Sequence, residues 1–475
     1  MKKHILALLF FTTFSSVFSQ HNDVNEKPSA TMWKGKLGQV VDSTSLLHAF
    51  KTGTTHGHFR YFFSSTTNEG NLSDYYANAA GGGIRFETNT FHNFQFAVSG
   101  FYFFNIGSSD LSKPDPITGQ MNRYEIGLFD IEDPNNYKDM DRLEELYLKY
   151  NFKKAHLIFG RQLINTPLIN LQDGRMRPTG VEGIWGDYSP TDKWRFEGGW
   201  LYAISPRSTT KWYGVGESIG IYPVGVNSSG KKSGYADNLD SQGVGALSLK
   251  FTPNKNWDVE AWDYFIENIS NTVFVQTKYV KPFGANRKMI AAGQMIRQNA
   301  VNYGGNVDQA LTYMEKGSKS LTFGGRLGMK ANQFEYSLNY NRITKEGQFL
   351  FPREWGREPL YTYLPRERNE GAADVHAMTF NVDYQNRNSK LKTSVGVGYV
   401  NMPEVLDFEH NKYGLPSYYQ SNVDVRYNFD KFFKGLDAQL LVVNKFRAGD
   451  IYDNPKYVIN KVNMMLVNLV LNYHF

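Results

Sequence analysis

From Val467 to the final residue, every second position of this chain is apolar or aromatic: Val467, Leu469, Leu471, Tyr473 and Phe475. Asn468, Val470, Asn472 and His474 stand between them. Successive side chains of a β-strand point to opposite faces, so this segment has one face fit for lipid and one mostly wet face. A strand of this kind ending in an aromatic residue suits the last strand of a membrane β-barrel, the one that closes the ring.

The N-terminal end agrees. Met1-Lys2-Lys3-His4 is a positive start, Ile5 to Phe11 is an apolar run, and Val17-Phe18-Ser19 precedes Gln20 as a small-residue exit. This reads as a secretory signal over residues 1–19, too short to cross a bilayer as a helix. No later segment has the apolar length of a membrane helix, so a membrane-resident chain of this type is expected to be a barrel. The chain has no Cys, which excludes a lipidated cysteine anchor, disulfides and thiolate metal sites. Hydrophobic residues make up only 41%, with 15% aromatic, as expected where only alternate strand positions are apolar. The formal charge is +6, and removing Lys2 and Lys3 with the signal leaves 6 − 2 = +4. That is a slight lean towards anionic solutes and no case for nucleic acid.

The same alternation recurs along the chain. Phe59/Tyr61/Phe63, Leu146/Leu148/Tyr150/Phe152, Phe334/Tyr336/Leu338/Tyr340 and Val423/Val425/Tyr427/Phe429 are among its clear cases. With weaker segments included, about eighteen strands are expected, an even number as bacterial barrels require. Short turns such as Lys153-Lys154 and Asn386 to Ser389 alternate with long connections at 105–141, 162–181, 206–240, 298–320, 343–373 and 401–417. A β-sandwich would explain the alternation but not that asymmetry. The expected organisation is a signal at 1–19, a polar periplasmic leader at 20–54, and an all-β transmembrane antiparallel barrel at 55–475. The short turns are expected in the periplasm, and the loops at 206–240 and 343–373 outside the cell.

The most distinctive stretch runs from Gly160 to Pro178 after the fifth strand. Thr166-Pro167, Asp173-x-Arg175-Met176-x-Pro178 and the following Gly183 resemble the OprD-type porins, substrate-specific outer-membrane channels of eighteen strands. The chain departs from that family at Gly174, where a small polar residue is common, and at Arg177, where Leu is common. The second departure adds a cation. The resemblance implies that this loop folds into the lumen and narrows it, and that a ladder of basic side chains guides carboxylates past an acidic or polar wall.

Physics asks for the same arrangement. A pore that strips part of a solute's hydration shell has to replace it with fixed charges and hydrogen bonds. Arginine suits the task, because its fork grips a carboxylate at two points and it keeps its charge. Arg161, Arg175 and Arg177 are the candidates for the constriction, with Asp173 orienting one of them or meeting a cationic group of the solute. The competing structural reading is that these charges pin the loop to the wall through salt bridges. Arg85, Arg195, Arg326, Lys330 and Arg426 fall on the lumen phase of their strands, as do Lys149, Lys250 and Lys392, interspersed with Glu145, Glu197, Glu260, Glu335 and Asp424. A charge facing lipid is costly, which favours the inward assignment.

Other features add little. His56 and His58 share a strand face but have no third ligand in the sequence, so no metal site is assigned. No cofactor is expected. The expected function is facilitated diffusion of small water-soluble solutes across an outer membrane, favouring carboxylates or other anions. The rivals are a barrel enzyme acting on lipids, for which no Ser/His/acid constellation is legible, and a structural or adhesive barrel with a blocked lumen. The expected surroundings are outer-membrane lipids outside and small-molecule solutes inside, with the protein a monomer or a loose trimer.

Overall fold

The structure, a computed structural model, describes residues 43–172 and 174–475. The signal and most of the leader lie outside the described residues. The end of the leader forms a six-residue helix, Leu46–Lys51, whose N-cap Ser45 accepts the His48 amide at 3.2 Å.

From Thr54 onward the chain runs as antiparallel strands joined in one sheet of nineteen. One of them, Tyr213–Gly214, is two residues long and extends the top of Trp194–Ser205. The wall is therefore an eighteen-stranded closed barrel. It closes where the first strand, Thr54–Asn68, pairs with the last, Met464–His474, in register from His58↔His474 to Asn68↔Met464. Gly57 and Phe475 finish the seam with reciprocal backbone bonds of 2.9 and 3.1 Å. A Cβ at position 57 would lie 2.0 Å from the Phe475 ring, so a side chain there displaces that ring.

The pleat sorts side chains as the pattern demands. On the last strand Met465 and Tyr473 are 43% and 41% exposed, whereas Leu466, Asn468 and Val470 are buried. Phe94, Trp194, Trp257, Phe334 and Phe475 are exposed at the short-turn end, the position of an interfacial girdle. Long loops gather at the opposite end: 109–139, 163–179, 206–243, 301–318, 344–374, 402–417 and 448–463. The alternation of short and long is not strict, because 69–74 and 267–269 at that end are also short.

The inner face is not uniformly wet. Phe62, Phe101, Phe103 and Val470 point inward and pack with Leu111, Ile126, Leu128, Phe129 and Met176 from two loops. Leu441, Val443, Met464 and Leu466 likewise cover Tyr124. An apolar inward residue would face water in an empty pore, so where the inner phase turns apolar a loop lies against it. Besides 206–243, whose Val215, Ile219 and Val224 are buried in the same core, three loops do so: 109–139, 163–179 and 344–374. The last was expected outside. It carries Phe349, Leu350, Phe351, Trp355, Leu360, Tyr361, Tyr363 and Leu364, all buried, and that much apolar surface is stable only when covered.

Candidate pore constriction

Wall amides hold the loop at 344–374 in place by acting as backbone mimics. Gln298 exchanges two 2.9 Å bonds with the Leu350 backbone, Asn341 Oδ1 accepts the Thr362 amide at 3.0 Å, and Gln420 Nε2 donates to Pro365 O at 2.8 Å. Each such residue lies on the inward phase and is nearly fully buried. A buried carbonyl or amide without a partner is costly, so these side chains fix the loop's depth as well as its position.

The loop at 163–179 follows the strand Ala155–Gln162 and starts with a tight turn closed by Thr166. The Thr166 amide and hydroxyl both donate to Ile169 O at 2.8 Å, while Thr166 Oγ1 accepts the Ile169 amide at 3.1 Å. The turn points Leu168, Ile169 and Leu171 into apolar core and leaves Asn170 facing the second loop. Asn170 Nδ2 donates to Arg357 O at 2.8 Å, and its Oδ1 accepts the Arg357 amide at 3.1 Å. Asn170 N reaches Trp355 O at 3.2 Å, and Thr179 Oγ1 donates to Glu354 O at 2.8 Å. Arg207, from the loop at 206–243, donates to Gly356 O and Arg353 O at 3.2 and 2.8 Å. Three loops are thus welded into one insert.

The sequence candidates separate in this setting. Arg177 is 2% exposed, grips Glu144 at both carboxylate oxygens, lies 4.2 Å from the Phe101 ring centre and has a nitrogen 3.4 Å from His58 Nδ1. Glu144 also accepts from Arg142 at 2.9 Å. Much of the Arg177 charge is therefore balanced inside the wall, the arrangement expected of a pin. Arg175 is half-buried in the left-handed region, φ +55°, and its Nε is 3.3 Å from where a Gly127 Cβ would stand. It faces the short turn Ile126–Leu128, beside Glu125. Asp173 lies outside the described residues.

Arg161 is set apart from both. The register pairs it with Leu146, in phase with Phe159 and Leu157, which are 56% and 44% exposed on the outer face. It bonds Glu182 at 2.9 Å and packs 4.6 Å from Trp212, at the outer rim of the wall and not in the lumen. Sequence spacing alone had placed it with the loop that follows.

Wall charges sit beside carboxylates. Arg85 donates to Glu145 at 3.0 Å, Glu87 at 2.8 Å and the Tyr147 hydroxyl at 2.8 Å. Arg326 pairs with Glu335 at 2.9 Å, Arg426 with Asp424 at 3.0 Å, and the half-exposed Arg195 with Glu197 at 3.4 Å. Lys330 is exposed, cross-strand from Lys288 and Glu335. The inner wall towards the short turns is a belt of mixed sign.

Loop acids are occupied elsewhere. Glu354 Oε1 accepts the amides of Gly220 and Tyr222, both at 3.1 Å. Glu358 takes the Asn369 amide and Arg368. Glu125 accepts from Thr66 at 2.7 Å and Ser64 at 3.0 Å; burial pushes its carboxyl up to about 6, against the pull of those hydroxyls and of Arg175. Sequence reading missed the cations of the second loop. Arg357 lies 4.1 Å from the Tyr363 ring centre, Arg366 donates to Asn468 at 2.9 Å, and Glu367 meets both Lys445 and Arg123. The available signal was an aromatic-rich loop alternating Arg with Glu from Arg353 to Arg368.

A closed antiparallel barrel with lipid-fit outer phase and loops folded inward defines a transmembrane β-barrel protein. Similar solved structures share the fold. Pseudomonas aeruginosa OpdK with vanillate superposes with a TM-score of 0.68 at 13% identity, covering 90% of this chain and 99% of that one. OccD3 (OpdP) from the same organism gives 0.68 at 12%, covering 94% and 95%. OccK2 (OpdF) in complex with glucuronate gives 0.67 at 11%, covering 90% and 98%. No curated protein matches the chain in sequence. Residues 125–390, more than half of the 475, match the outer membrane porin, OprD family. The chain belongs to that family.

Proposed function

We propose that this porin passes small solutes by facilitated diffusion with a preference for carboxylates and other anions, and that the loop insert sets the preference. One observation carries the reading. The insert carries Arg175, Arg177, Arg357, Arg366 and Arg368, the positive ladder expected of a carboxylate path, with Glu144 beside Arg177 and Glu358 beside Arg368. A field of that sign raises anion occupancy, and the mixed belt below it offers opposite charges that keep binding weak enough for release. Vanillate and glucuronate, present in two similar structures, are both carboxylates. No step needs a cofactor or an energy source.

The test is reversal potential across a planar bilayer in a salt gradient. The parent should prefer the anion, and Arg175→Gln should shift the potential towards neutrality by weakening local attraction in a poorly screened passage. An unselective parent channel would overturn the anion reading and leave the porin standing.

A further inference from the structure

The short-turn end of the barrel carries a collar of cations. Lys153, Lys193, Lys255, Arg387, Lys431 and Lys434 are all exposed on its turns. Among the described turn residues at this end the acids are Asp192 and Asp430, and Asp430 is ion-paired to Lys390. The turn after the strand Tyr418–Asn428 adds two exposed rings to these charges. Tyr427, on the outward phase and 38% exposed, lies 4.9 Å from Phe429 between ring centres; Phe429 lies 6.2 Å from Phe433, and Phe433 lies 5.1 Å from Phe432. The aromatic stripe of the lipid face thus continues past the end of the strand. Phe433 is 54% exposed and Phe432 is 92% exposed. A single 3₁₀ turn, Lys431–Phe433, holds them out, and Lys431 adopts φ +53° to begin it. Asn332 and Ser389 reverse their short turns with a similar positive φ, so what marks this turn is the exposure of its rings.

We propose that the turn at 429–435 is a membrane-surface anchor that binds anionic phospholipid headgroups of the leaflet on the short-turn side, with the lysine collar extending the contact around the rim. Phenyl rings insert at the level of the headgroups, and Lys431 and Lys434 meet the phosphates above them. The leaflet is the occupant because the rings are continuous with the lipid face of the barrel and the collar is complementary to an acidic lipid surface. Each lysine near such a surface contributes about fivefold in relative lipid affinity.

The full-length protein carrying Phe432→Trp, reconstituted in mixed bilayers, tests this. Its added fluorescence, taken as the difference from the parent, is read against brominated phosphatidylglycerol and brominated phosphatidylcholine at equal mole fraction. The expected result is quenching that is several-fold stronger with phosphatidylglycerol. Lys431→Gln/Lys434→Gln in the same background should abolish the difference while leaving some quenching by both lipids. Heat-modifiable migration of each variant shows that the barrel has closed. A tryptophan that neither lipid quenches would place the turn in water and overturn the anchor. Equal quenching in the lysine-intact protein would overturn its selection of anionic lipid.

Discussion

Asn170 and Arg357, 187 positions apart, hold each other as two strands would: the Asn170 amide donates to Arg357 O at 2.8 Å and its carbonyl accepts the Arg357 N–H at 3.1 Å. One side chain thus supplies both halves of a backbone pair between two loops that enter the barrel separately. Neither loop has regular structure of its own at this point, so the pairing sets how far each protrudes. Loss of either bond leaves a buried backbone group unsatisfied, the expensive side of hydrogen-bond energetics.

Asn170→Leu should therefore loosen the insert without opening the wall. It removes the two bonds to Arg357, one to Pro167 O at 3.0 Å and one from the Gln172 amide at 3.2 Å, four bonds together worth about 4 kcal/mol at roughly 1 kcal/mol each. Single channels of this variant should be noisier and of higher mean conductance, with heat-modifiable migration unchanged. Parent-like traces would mean that the loops keep their places by other contacts.

Acid should sharpen anion preference. Burial raises the Glu125 carboxyl to about 6, so it titrates above the usual carboxylate range. Its charged form is the disfavoured one: the penalty is full above about pH 6, falls as pH drops through that value, and is gone below the unfolded value of about 4.3. Protonation removes a negative charge beside Arg175, and the site becomes more positive. Reversal potentials should move towards the anion limit between about pH 7 and pH 5. Glu125→Gln should already show the acid value at neutral pH and lose most of this dependence. A parent potential that stays flat over that range would rule out Glu125 as the titrating group.

The seam gives a stability prediction. Gly57→Val places side-chain atoms where the Phe475 ring now sits, since even a Cβ would approach it to 2.0 Å. The ring must leave its place over the seam, where the two backbone bonds between Gly57 and Phe475 close the barrel. Folded, heat-modifiable protein should drop sharply, while Phe475→Ala in the same background should recover part of it by vacating the space. Normal assembly of Gly57→Val alone would show that the last residue is not needed for closure.

The wall was legible because lipid imposes a rule at every second residue, and the last strand states that rule in full. The loops obey no local rule. Leu350 to Leu364 sit inside because Gln298, Asn341 and Gln420 wait on distant strands to receive their backbone, and no window of sequence contains both partners. A trace existed on the wall itself: inward-phase Phe62, Phe101, Leu441 and Leu466 are apolar where a wet lumen needs polar residues. Arg161 failed for a different reason. It ends a strand, and phase counted from Phe159 puts it outside, whereas proximity to Arg175 in sequence suggested the lumen. The motif that revealed the loop covers Arg175 and Arg177, and there the structural reading of a charge pinning a loop describes Arg177 with Glu144.

Lys412 closes the insert from above, and its removal should expose a loop that intact cells hide. Its ammonium lies 4.5, 4.9 and 5.6 Å from the ring centres of Tyr235, Tyr313 and Tyr413, and 3.8 Å from Glu370. Burial pulls this amine down and pushes the Glu370 carboxyl up, so each charge depends on its neighbours to persist. Lys412→Met leaves Glu370 with Arg353 at 3.4 Å and two tyrosine hydroxyls at 3.2 and 2.9 Å, a partial replacement. Removing one partner of a buried pair costs about 3 kcal/mol at the low end of its range. The cost falls on the loop at 344–374, which Glu370 anchors, and not on the strands. A protease site introduced near Tyr361 should resist cleavage on intact cells of the parent and become cleavable in Lys412→Met. Adding Glu370→Gln should restore much of the protection, because the buried carboxylate that has lost the Lys412 charge is then no longer present. Cleavage in the parent would put the loop outside the barrel, and equal resistance in Lys412→Met would show that the tyrosine cage does not hold it.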